Sequence, residues 1–132
     1  MGVIRMNIEK TREYYENIGR EDICSCIYCR NFIDEVRSSY PETADFLSSL
    51  GVDIEKPFEV FLPSDPLDGY MDYYEAQYLI AGDSSGFSET RIGDISVYIS
   101  ECHPQAVYKD EHFIIGAGVF RIKCRYDKYS FD

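Results

Sequence analysis

Three thiols fall within six positions of CSCIYCRNF, residues 24–32. Thiolates are soft ligands, and a Cys-x-x-Cys pair such as Cys26 and Cys29 can give a tetrahedral zinc two of its four donors. Elsewhere the chain offers only Cys102, His103, His112 and Cys124, at spacings that match no zinc ribbon or finger. A redox reading of the same pair needs a strand before it and a helix after it, whereas the preceding segment reads as helix. Packing is the third account, because free cysteine is among the most buried residue types. The three accounts divide the stretch. Cys29 opens an apolar stripe and is expected in the core. Cys24 and Cys26 are expected in the approach to a helix, where they can bind something, with Arg30 and Asn31 turned the opposite way. The candidate metal set is Cys24, Cys26 and Cys29, with Cys102 and His103 as further candidates. Zinc is the ion such a set would take, and no other cofactor is expected. Neither Cys24 nor Cys26 is expected to meet Cys102 or His103 in space.

Other chemistry is sparse. The chain has no Gly-x-Ser-x-Gly elbow, no phosphate loop, no dinucleotide fingerprint after a strand and no His-Glu-x-x-His. Its two histidines, His103 before Pro104 and His112 after Asp110-Glu111, sit in ordinary loop and strand-end settings. Catalysis is therefore not the favoured reading. The formal net charge is −11, with 13 basic against 24 acidic side chains. Such a surface argues against nucleic-acid backbone or anionic membrane as a partner.

The charge is uneven, and residues 119–132 are its basic end. Arg121, Lys123 and Arg125 alternate there on one face of a strand, in a chain that is otherwise acidic. Opposite charges on a neighbouring strand, at Asp72, Glu75 or Asp94, would explain them blandly. An arginine fork holding a small anion would explain them more sharply. The chain also carries 12 tyrosines and no tryptophan. A row of tyrosines on a sheet offers stacking faces with polar tips. Tyr73, Tyr78 and Tyr98 with Arg121, Lys123 and Arg125 form the candidate ligand surface, suited to a nucleotide-like molecule.

The elements that must position these groups change character halfway along. Ile8, Tyr15 and Ile18 share a helical face, with Gly19 as a stop. Cys29, Phe32, Ile33, Val36 and Tyr40 follow the i, i+3, i+4, i+7 spacing of a helix. Pro41 and Glu42 suit the start of a third helix, Gly51 its end, and Ala44, Leu47 and Leu50 its buried face. After that the period shortens. PFEVFLP reads as a strand, Asp68-Gly69 as a hairpin turn, and YMDYYEAQYLIAG as one long strand. Ile95, Val97 and Ile99 alternate with polar neighbours as a half-buried strand. HFIIGAGVFRIKCRY reads as a last long strand whose Gly116 and Gly118 mark a bulge or close approach. The expected fold is a single α+β domain over residues 1–132, with two to three N-terminal helices packed on an antiparallel sheet of about four strands. An opening without an apolar run, an odd cysteine count of 5 and no run of about 18 apolar residues lead to the expectation of a soluble cytoplasmic protein.

CSCIYCRNF, the following YP, SLGVDIEKPFE, AQYLIAG and a late HF together resemble an uncharacterised bacterial family of small hypothetical proteins. The resemblance spans residues 24 to 113. It implies a shared fold and carries no activity or catalytic residue with it. The function expected first is therefore a small non-enzymatic binding protein. It would use the Tyr and Arg sheet face toward a small molecule or protein partner and possess a capacity to form homo-oligomers. A zinc-binding structural or regulatory module on Cys24, Cys26 and Cys29 is the second reading. An acidic decoy of a nucleic-acid-binding enzyme is the third.

Overall fold

The computed structural model describes residues 6–61, 68–101 and 103–124. Its first helix, α1 (Ile8–Glu16), begins where the Asn7 side chain accepts the Lys10 backbone N–H at 2.9 Å, the usual service of an N-cap asparagine. Two of its inward side chains dock it to the sheet. Thr11 Oγ1 donates to Asn7 O and accepts the Ala81 N–H at 2.9 Å. Tyr15 donates to the Leu79 carbonyl and accepts the Leu79 N–H, each at 2.9 Å. The helix ends short of Gly19, and Ile8 is 39% exposed rather than on the buried face. Thr11→Val keeps the side-chain shape but leaves the buried Ala81 N–H without its acceptor. A loss of about 1–3 kcal/mol is expected in urea denaturation, and an unchanged midpoint would contradict this account of the docking.

The second helix, α2 (Ile27–Ser39), buries Cys29, Phe32, Ile33 and Val36, the stripe its spacing predicts. It also buries Asn31, which does not turn away from the core. The Asn31 amide donates to the Lys123 carbonyl at 3.1 Å, which satisfies a polar group the apolar pattern would have placed in water. Helix α3 (Pro41–Ser49) starts at Pro41, buries Ala44 and Leu47, and leaves Leu50 half-buried. Gly51 follows with φ +87, and a Cβ there would lie 2.6 Å from the Ile8 carbonyl oxygen. Only glycine combines that dihedral with that approach.

The strands are β1 (Glu59–Phe61), β2 (Tyr70–Tyr73), β3 (Glu75–Ala81), β4 (Thr90–Ile92), β5 (Ile95–Ile99), β6 (His112–Gly118) and β7 (Phe120–Lys123). They form a five-stranded sheet in the order β1-β3-β6-β5-β4 and a separate β2-β7 pair, all antiparallel. The α+β class is as expected; the strand count is larger. Each of the two long strands read from the sequence is in fact two. The breaks, at Tyr74 and Val119, lie opposite one another, so both chains leave the large sheet together and continue as the small one. Gly118 explains the crossing point, because a Cβ there would collide with the Tyr74 carbonyl. Asp68 and Gly69 both have positive φ, at 57 and 79, but β1 pairs with β3 and β2 with β7, so no β1-β2 hairpin forms. The hairpin that does form is β4-β5, with Ile92 opposite Ile95 across Gly93-Asp94.

One apolar cluster joins the helices to both sheets. Phe32 of α2 meets Tyr73 of β2 and Phe120 of β7, with ring centroids 5.2 and 5.3 Å apart. Helix α2 is thereby seated on the small sheet, and α1 on β3. No helix among the described residues is long and apolar enough to cross a membrane.

Candidate metal centre

The N-terminal end of α2 gathers the three thiols. Cys26 is the N-cap, in extended conformation (φ −66, ψ 160), and its side chain makes no capping hydrogen bond. Cys29 lies three residues on, inside the first turn. Side chains at these two positions face one another across a helix start, which is the geometry of a capping box. Cys24 comes from the approaching loop. The three sulfurs all lie within 4.8 Å of one another. A tetrahedral zinc with Zn–S of about 2.3 Å sets its sulfurs about 3.8 Å apart, a spacing within that limit.

The surroundings favour anionic sulfur at the outer position. The first turn of α2 carries no acidic side chain, and the helix dipole presents positive potential at this end. The Cys24 thiol is held below its ordinary value, first by the Cys26 backbone N–H and then by the Cys26 and Cys29 side chains. Burial pushes the Cys29 thiol far up. A bound cation would have to displace that proton, as thiol ligands generally require. The cluster lines a cleft of about 400 Å³ together with Asp22, Ile23, Pro57, Phe58, Glu59 and Val60. Cys24 is exposed, Cys26 half-buried and only Cys29 buried. Core packing therefore accounts for one thiol of the three.

The other metal candidates lie apart from this group. Cys102 is outside the described residues. His103 is exposed, with Nδ1 2.8 Å from the Pro104 carbonyl oxygen, and does not belong to the cluster. Cys124 is half-buried, its backbone N–H donating to Gly69 O at 2.8 Å. Among the described residues the only such group of potential ligands is Cys24, Cys26 and Cys29.

The tyrosine and arginine set is not brought together. Tyr73 and Tyr78 are fully buried, donating to the Tyr28 and Ile54 carbonyls at 2.7 and 2.8 Å. They occupy inward positions of β2 and β3, and a tyrosine satisfied by a backbone carbonyl packs as a core residue. Neither ring has a face to offer a ligand. Tyr98 is half-buried and donates to Glu75 Oε1 at 2.5 Å, while Glu75 Oε2 accepts from Gln77 at 2.6 Å and Ser100 at 3.1 Å. Arg121 lies in the small sheet, apart from Tyr78 and Tyr98, 3.4 Å from Asp72 and 4.9 Å over the Tyr70 ring. The bland pairing is thus the one observed, and Asp72 is the partner. Lys123 is exposed on the same strand. Arg125 lies outside the described residues.

Sequence reasoning missed Glu59. It stands 30 residues or more from each cysteine in the chain, and no local pattern announces that β1 walls their cleft. Comparison of the chain with protein-family models, curated proteins and solved structures gives no match.

Proposed function

We propose that the protein is a zinc-binding structural or regulatory module, with Cys24, Cys26 and Cys29 as thiolate ligands. The observation that carries this reading is the convergence of three sulfurs within 4.8 Å at one helix start, two of them accessible. Convergence of three speaks for a metal over a disulfide, which would use two and leave the third unexplained. An ion there would tie the loop at residues 23–25 to the first turn of α2, and α2 is itself seated on the small sheet through Phe32. Zinc is preferred among divalent ions because a sulfur-rich tetrahedral set suits it and disfavours calcium or magnesium.

Cobalt(II) is the probe that tests the coordination. Reduced metal-free protein titrated with cobalt should show sulfur-to-cobalt charge-transfer absorption that saturates at one equivalent and is displaced by zinc. Absence of that absorption, with all thiols confirmed reduced, would contradict the reading.

A further inference from the structure

Three cysteines leave one position of a tetrahedral ion open, and the cleft offers a carboxylate to fill it. Resting on the zinc reading above, we infer that Glu59 supplies the fourth ligand, so that the ion fastens α2 to the free edge of β1.

Glu59 lines the same cleft as the three cysteines. Its carboxylate is not among the ligand atoms lying within 4.8 Å of one another there, so the side chain has to swing toward the sulfurs to reach an ion. Its backbone is fixed: Glu59 sits opposite Gln77 in the β1-β3 ladder, and the preceding Phe58 N–H donates to the Gln77 carbonyl at 2.6 Å. The carboxylate itself is exposed, and no hydrogen bond or ion pair holds it among the described residues. Asp22 is the rival in the same cleft. Its Oδ2 already accepts the Gly19 N–H at 2.9 Å within a short turn, so using it for zinc would release that bond. Carboxylate oxygen is an accepted zinc ligand at about 2.0–2.2 Å. The resulting centre would be net negative, and the N-terminal dipole of α2 opposes that charge.

The arrangement has a mechanical consequence. Strand β1 is three residues long and lies at the edge of the large sheet, paired only with β3. An ion held by both Glu59 and the helix start would cross-link that edge to α2. The edge would then open less often.

X-ray absorption at the zinc edge of the loaded full-length chain should give three sulfurs at about 2.3 Å and one oxygen at about 2.0–2.2 Å. Glu59→Gln should weaken zinc at least about 10-fold in competition with a chromophoric chelator, and Asp22→Asn should leave it unchanged. Zinc should slow amide exchange at residues 59–61 in the unaltered protein and fail to do so in Glu59→Gln. Four sulfurs, or an unchanged affinity in Glu59→Gln, would overturn the inference while leaving the three-thiolate reading in place. Loss of affinity in Asp22→Asn alone would move the ligand to Asp22 and overturn it equally. Failure of the unaltered chain to bind zinc would remove both.

Discussion

Cys26→Ser is expected to weaken zinc by more than about 100-fold, beyond the range lost when a group that only hydrogen-bonds a ligand is removed, without unfolding α2. The position makes this a clean test. Cys26 is the N-cap and provides no side-chain hydrogen bond to the helix. Serine is among the best N-cap residues, since its hydroxyl accepts an N–H of the first turn. The substitution therefore removes a ligand and, if anything, strengthens the helix start. Cys29→Ser would not separate the two effects, because it would place a hydroxyl at a buried site. Chelator competition gives the affinity, and circular dichroism with a urea midpoint gives the fold. An affinity equal to that of the unaltered chain, with the helix intact, would show that the sulfur at 26 is not a ligand.

Phe32→Ala should lower stability by about 3–5 kcal/mol, through lost transfer free energy plus the cavity left behind. Phe32 is 0% exposed and touches Tyr73 and Phe120 with well-formed aromatic geometry. A loss of that size is a large share of the about 5–15 kcal/mol that holds a domain folded. The same contact positions Cys26 and Cys29, because it seats the helix that carries them. Zinc added at about 100 times its dissociation constant should return about 2.7 kcal/mol to any variant that still binds it. Urea midpoints with and without zinc check both statements. A loss below about 1 kcal/mol would mean that α2 is not anchored where Phe32 sits.

What was legible in the sequence follows a physical line. The α2 stripe from Cys29 to Val36 could be read because helical burial recurs within one continuous segment, and Ile95 and Val97 because strand burial alternates. The cysteine cluster was legible for the same local reason: its members span six residues, and a helix start folds them together. Asp72 could be named beforehand as a partner for Arg121, since opposite charges on neighbouring strands attract. Hidden features depend on groups far apart in the chain. The burial of Tyr73 and Tyr78 requires carbonyls from Tyr28 and Ile54, and that of Asn31 a carbonyl from Lys123. The division of the long strands at Tyr74 and Val119 shifts the phase of burial, from Met71 and Tyr73 to Ala76, Tyr78 and Ile80, and from Ile115 and Ala117 to Phe120 and Ile122, a slip that the apolar residues crowded around each break conceal. The close approach of Gly118 to the Tyr74 carbonyl accompanies that slip and joins residues far apart in the chain. Glu59 is invisible for the same reason: its place in the cysteine cleft exists only in the folded chain, where β1 pairs with β3.

The zinc content of full-length protein, expressed in zinc-supplied cells and purified under reducing conditions without chelator, tests the central claim most directly. Elemental analysis should find about one equivalent of zinc per chain, as a structural site retains. Less than about half an equivalent, with Cys24, Cys26 and Cys29 confirmed as free thiols by mass spectrometry, would contradict it.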